Sequence, residues 1–298
     1  NAASIPTVTL NNQSSLNKQS GWADTVTLND QSTMQYGGGE ITELTLTDQS
    51  DLNMTAGNIY DDLRISSSTA DVSGGDIGFD TLSGNENGST NSHGIFLDSS
   101  SQPTPSSITI SGSTQILHLL AKHQVSVTMS GASSEIVRVT DLRNDVSFDL
   151  EAGLVNYLRM KNDGRFEMDQ SDAMLYKTHI FDDSRLIVSS GTLGNGDSNA
   201  SLISINDNAY FHMSGGSLDL GPFSNTKNDA HFIDGSANSF SDTTVSVASG
   251  NSKRGLHIRD EATALIDGTT TISSTTELEL RDNGTLTVTI NDTFNRMV

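Results

Sequence analysis

The chain has no cysteine, four prolines, one tryptophan and only 5% aromatic residues, and nowhere does it run apolar for long. Without cysteine there is neither a disulfide framework nor a thiolate metal site. No stretch approaches the ~20 apolar residues that a helix needs to cross a bilayer. Basic residues are scarce too: 16 Lys and Arg stand against 37 Asp and Glu, a net charge of −21. That balance disfavours nucleic acid and anionic membrane as partners and keeps an exposed surface soluble. A phosphate-cradling glycine loop, a His-Glu zinc motif and a nucleophile elbow are all missing. The seven His are scattered; His118 and His123 are the closest pair, with no third ligand beside them. GTLGNGDSN at 191–199 approaches the GGxGxD nonapeptide of calcium-binding β-rolls once and is not repeated. No cofactor and no metal are expected.

What is present is a repeat. Val8-Thr-Leu10, Val26-Thr-Leu28 and Leu44-Thr-Leu46 follow one another at an even interval, and Leu63-Arg-Ile65 comes one position late. After each comes a polar corner: NNQS at 11–14, NDQS at 29–32, TDQS at 47–50 and SSS at 66–68. Leu16, Met34, Leu52 and Ala70 keep an 18-residue interval, as do Gly21, Gly39, Gly57 and Gly75, and Ile41, Ile59 and Ile77. The fourth unit carries one extra residue around Tyr60–Asp62 and loses one after Ile65, which restores the register.

Within each unit apolar residues alternate with polar ones, the period of a half-buried strand. The runs are too short for helices, and Gly, Asn, Asp and Ser between them supply corner conformations with positive φ. A unit of this length with two or three short strands is one turn of a right-handed parallel β-helix. Leu28 is then expected over Leu10 and under Leu46 inside the coil. A leucine-rich repeat needs a regular asparagine and a helical return arm, and neither appears. The whole chain, 1–298, reads as one solenoid domain, with regular rungs over 7–77.

Ile95 keeps the interval from Ile77, but SGNENGSTNSHG at 83–94 is too polar and Gly-rich to pack, and SSSQPTPSS at 99–107 carries two of the prolines. Together, 83–107 reads as a loop excursion, a binding insertion or a tolerated surface one. QILHLLAKH at 115–123 fits either a short helix or a strand. Strands are expected at 108–110, 125–127, 137–139, 146–150, 158–160, 186–188, 203–205, 245–247, 256–258 and 278–280. The later ones fall in looser rungs of roughly 21–25 residues each. The N-terminal Asn1 suggests a processed product, and the lack of a cap at Val298 suggests that the natural protein continues.

Charge is uneven. Eight of the sixteen basic residues fall within 118–185. Arg138 and Arg159 occupy the outward position between paired apolar residues, Lys161 follows on the same strand face, and Arg165 and Lys177 lie one corner further on. This basic ladder is the candidate site for a linear polyanion such as a sulfated glycosaminoglycan, unless the cations are paired with neighbours such as Asp163 and Glu167. A second candidate surface, for self-association between cells, is the Thr/Asn/Asp ladder of the first rungs: Thr27, Asn29, Asp30, Thr45 and Asp48. An enzymatic rival would use two carboxylates across a sugar. The adjacent pairs are Asp61-Asp62 and Asp182-Asp183. The Gly-His-Gly and Arg-Ile-Lys stretches of pectin-cleaving hydrolases are met only by Ser92-His93-Gly94 and Leu256-His257-Ile258-Arg259, so no catalytic residue is assigned.

The unit Leu-x-Leu-x-Asp-x-Ser, an apolar residue and Gly-x-Ile, clear over 7–77 and recurring in ISINDNAYFHMSGGSL at 203–218 and in 256–268, resembles the passenger domains of AIDA-type autotransporter adhesins of Gram-negative bacteria. That resemblance implies a non-enzymatic protein exported to the bacterial cell surface. It would be joined to the membrane only through a C-terminal outer-membrane barrel that lies outside this sequence. It would bind a host-surface glycan or extracellular-matrix protein and promote attachment, aggregation or biofilm growth. The alternative is a polysaccharide-degrading β-helix enzyme or a phage tailspike-like protein.

Overall fold

The computed structural model describes residues 4–79, 93–100, 104–194, 203–219, 230–232, 236–241, 244–246, 255–267, 270–272 and 277–289. Among the described residues every regular element is a strand and none is a helix, and the strands pair in parallel from turn to turn, as a β-solenoid. The chain divides into two compact units, Asn1–Phe148 and Asp149–Val298.

In the first unit each turn has three sides. Face A holds the Val-Thr-Leu segments: Thr7–Leu10 pairs with Thr25–Leu28, and the latter with Glu43–Leu46. Face B holds Ser15–Lys18, Thr33–Tyr36 and Asp51–Met54 in register. Face C is short, and it bends straight into face A of the next turn within single strands such as Trp22–Leu28 and Glu40–Thr47. The repeat maps onto three interior ladders. Leu46 is fully buried between Leu28 and Ile65, Leu52 between Met34 and Ala70, and Ile59 between Ile41 and Ile77. Full burial of a leucine side chain is worth about 1.5–3 kcal/mol, and each is shared with the turns on either side. The extra residue of the fourth unit is a bulge: Ile41 pairs with Ile59, but Glu43 pairs with Asp62.

Two kinds of corner hold the sides together. Between A and B the chain enters the left-handed region at Asn12, Asp30 and Asp48, with φ of 57–58°. Asn and Asp tolerate this conformation better than other side chains. The Asp30 carboxylate then accepts the backbone N–H of Asn12 from the turn before, at 2.8 Å. The serine that ends each corner motif faces inward: Ser32 and Ser50 are fully buried, and Ser50 donates to Ser68 at 3.2 Å. Between B and C the left-handed residue is glycine. At Gly75, φ is +98° and an added Cβ would meet the Gly57 carbonyl oxygen at 2.1 Å, so the turns stack too closely for a side chain.

The excursion at 83–107 is broken by structure. Residues 83–92 and 101–103 lie outside the described residues, as do 195–199 of the β-roll-like nonapeptide, but Gly94–Asp98 is a face A strand. Ile95 pairs with Leu63 and not with Ile77; the Ile77 ladder continues at Ile116. The return is fixed by Ser106, whose hydroxyl accepts the Ser67 N–H and bonds the buried Ser99, each at 2.8 Å. QILHLLAKH is strand up to Lys122, as part of Ser106–Lys122, a single element that turns through faces B, C and A, and His123 begins the next corner at φ 57°. At 137–139 the inward set differs from the expected one. Val137 and Val139 are half-buried, while Ile136, Thr140 and Leu142 are interior. The pairing slips by one residue between Ile116 and His118, a bulge that falls at Val137–Arg138 and breaks the simple alternation there.

The second unit repeats the three sides with longer and less even turns. Asn162 and Asp182, bonded across one turn, are 20 positions apart in sequence. Thr192 and Ser217 are 25 apart, and His212 and Ser239 are 27 apart. The spread is wider at both ends than the late spacing suggests. The core of this unit includes three fully buried phenylalanines in mutual contact: Phe211, Phe232 and Phe240 have centroids 5.3–6.1 Å apart. The strands Ala230–Phe232 and Ala237–Ser241 that carry two of them were not expected, because neither shows a pair of aliphatic residues.

Candidate functional site

The outward side of face A in the second unit carries most of the expected basic ladder. Strand Gly153–Lys161 buries Leu158 and Met160, which forces Tyr157, Arg159 and Lys161 outward by strand alternation. The next turn buries Thr178 and Ile180 and presents Lys177 and His179, with Phe181 just past the strand end. Register sets Tyr157 beside Lys177 and Arg159 beside His179. The Lys177 ammonium lies 4.7 Å from the Tyr157 ring centroid, and the Lys161 ammonium 5.3 Å from that of Phe181. Aromatic rings and cations therefore alternate across two turns. His179 stands at the centre, edge-on to Tyr157 at 5.3 Å and to Phe181 at 6.4 Å. Its Nδ1 is 3.0 Å from the Tyr157 hydroxyl.

Burial, then the charges of Lys177 and Arg159, push the His179 pKa down to about 4. The imidazole is neutral at physiological pH, so the positive charge of the patch comes from Arg159, Lys161 and Lys177. Neither lysine is ion-paired among the described residues, and each ammonium uses a ring face as its neighbour.

The other two basic candidates lie elsewhere. Arg165 is exposed on face B, where Glu167 accepts its guanidinium in an ion pair. Arg138 belongs to the first unit, close enough to His118 to help burial lower that imidazole's pKa, with a further push from His93.

Of the self-association set, Thr27 and Thr45 are paired outward positions of face A in the first unit. Asn29 and Asp30 are engaged within the coil. Asn29 donates to Asn11 at 2.8 Å and accepts from the Thr47 hydroxyl at 2.9 Å, and Asp30 holds the Asn12 N–H. With Asp48, Asn12, Gln13 and Gln31, Asp30 also lines a shallow corner groove of about 570 Å³.

One juxtaposition was invisible in the sequence. Asp61 and Asp62 sit in the bulge between faces C and A, and His93 Nδ1 lies 3.5 Å from Asp62 and 3.8 Å from Asp61. Arg64 bridges Asp62 to Glu43, with its Nε 3.1 Å from the latter. The long stretch of chain between Asp62 and His93 hid this contact. Asp182 is a corner residue at φ 58°, with its carboxylate 3.0 Å from the Asn162 backbone N–H. His118 and His123 do not converge with a third ligand, and no group of three metal-ligating side chains occurs among the described residues.

Comparison of the chain with family models, with curated proteins and with solved structures gave no match.

Proposed function

We propose that the protein is a non-enzymatic adhesin of a bacterial surface, displayed as an exported passenger and attaching cells to sulfated or carboxylated host glycans, or to matrix proteins that bear them. The observation that carries this reading is the cation–aromatic patch of Arg159, Lys161 and Lys177 with Tyr157, His179 and Phe181. In a chain of net charge −21, Lys161 and Lys177, neither ion-paired among the described residues, flank Arg159 on adjacent turns and make a local exception. At physiological salt the repulsion of the remaining surface decays within about 8 Å, so a polyanion at contact responds to the patch. Arginine grips sulfate or carboxylate through paired donors, and lysine acts as a point charge. Beads coated with the protein should attach to cultured host cells and lose attachment when the cells are stripped with glycosaminoglycan lyases. Attachment that persists after stripping would exclude this ligand class.

The rival reading, polysaccharide cleavage, rests on the contact of Asp61 and Asp62 with His93. Asp61→Asn with Asp62→Asn should change no release of reducing ends from acidic polysaccharides, because the parent releases none. Cleavage by the parent that vanishes in the double variant would establish the rival.

A further inference from the structure

The outward face of side B offers a different chemistry. In the first unit its leading ladder position is small or short throughout: Ser15, Thr33, Asp51, Thr69, Ser107 and Ser126. In the second unit the same position becomes Arg165, Arg185 and Tyr210 on three successive turns, then returns to Ala237, Thr263 and Thr285. Large side chains are therefore concentrated there and not spread along the face. Where they occur, Asp183, Arg185, Asn208 and Tyr210 line a groove of about 350 Å³, within the size range of small-ligand sites.

The tyrosine of this groove is held from below. Tyr210 is 37% exposed, one of the few large apolar side chains on the surface. Its ring is stacked on His212 at 6.2 Å and 23°, and His212 is anchored by Ser239 at 2.7 Å. The Tyr210 backbone N–H donates to the Ser184 carbonyl at 2.9 Å, so the platform rides on the coil's own ladder. Arg185 and Asp183 are both exposed, and neither forms an ion pair among the described residues. Arg185 also faces Arg165 across the ladder, a like-charge pairing that costs stability and that Glu167 offsets on the Arg165 side alone.

We infer that this groove is a saccharide subsite, taking a neutral pyranose of a longer glycan with its apolar face on Tyr210. A carboxylate accepts, a guanidinium donates, and an amide does both. That set complements hydroxyls, which also donate and accept, on the rim of a sugar ring. The charges of Asp183 and Arg185 cancel, so the groove does not favour a polyanion. The inference stands apart from the patch on face A, which shares no residue with it.

The test is the intact protein on an array of cellotriose, mannotriose, N-acetylchitotriose and lacto-N-tetraose, followed by titration of the best binder. At least one should bind. Tyr210→Ala should weaken it by about tenfold or more, Tyr210→Phe should retain it, and Asp183→Ala with Asn208→Ala should weaken it comparably. The Arg159→Ala, Lys161→Ala, Lys177→Ala triple should leave it unchanged. Absence of binding by the parent to all four sugars, or equal binding by Tyr210→Ala, overturns the inference. Loss in the triple variant also overturns it, by moving the site to face A. Heparin binding without any neutral-sugar binding would keep the adhesin reading and reject this one.

Discussion

Single residues in this coil are constrained by the turns on either side of them. Gly75 faces the Gly57 carbonyl at a distance that leaves no room for a methyl group. Gly75→Ala should therefore cost at least the ~1–2 kcal/mol of a left-handed non-glycine residue, plus separation of two turns. Gly37→Ala should cost less, since its Cβ would meet only the far end of the flexible Gln19 side chain. Urea midpoints of the two variants give the comparison; equal midpoints would contradict the close stacking. His179 carries a pH signature. Its folded pKa of about 4 lies below the ~6.5 of an unfolded histidine. Between those values the unfolded chain binds more protons, so the stability that His179 contributes is complete above about 6.5 and is lost as pH falls towards 4. With the ring part-exposed, solvent screening reduces the effect to about 1 kcal/mol. The unfolding midpoint of the parent should drop more from pH 7 to pH 4.5 than that of His179→Gln. Identical drops would mean that His179 titrates normally.

At the scale of strands and corners, ladders that repeat without interruption were legible and those that bend were not. Leu28, Leu46 and Ile65 could be placed because their interval barely varies. Leu46→Asp should bury a charge with no partner at the centre of one turn, cost several kcal/mol and loosen the adjoining turns. Unchanged thermal unfolding would refute the register. Asp30→Ala removes both the cap on the Asn12 N–H and a side chain suited to φ 57°. A loss of about 1 kcal/mol is expected in chemical denaturation, and none if the corner carboxylates serve only solubility. Where the chain bulges, alternation misleads: Val137 and Val139 mimic an inward pair, but the extra residue between Ile136 and Val139 hands that role to Thr140 and Leu142. Ile95 was drawn to the wrong ladder because the excursion before it has its own length. Phe232 and Phe240 were missed because their buried inward partners, Ala230 and Asn238, are not the large aliphatic residues that mark strands elsewhere.

The candidate patch was partly legible for the same reason. Arg159 and Lys161 follow from simple alternation on a face with clean buried partners, whereas Lys177, expected one corner further on with Arg165, lies on that same face one turn later, paired with Tyr157. Arg138 lies in the first unit, at a bulge where alternation fails, and Arg165 is set on another side by the corner that intervenes. The aromatic half of the patch could not be read, since Phe181 lies beyond its strand and Tyr157 precedes the Leu158–Met160 pair. Contacts between distant segments, such as Asp62 with His93, depend on how many residues the chain between them consumes, which the even interval of the first turns does not fix.

For the molecule as a whole, binding of an anionic glycan by an anionic protein requires one local patch to prevail over the average charge. The most direct measurement is heparin affinity across a salt series for the parent, for the Arg159→Ala, Lys161→Ala, Lys177→Ala triple, and for Arg138→Ala. The account predicts parent binding that weakens as salt rises, a loss of at least about tenfold (~1.4 kcal/mol) in the triple, and little change in Arg138→Ala. A parent that fails to bind heparin at low salt, or a triple variant that binds as well as the parent, would contradict it.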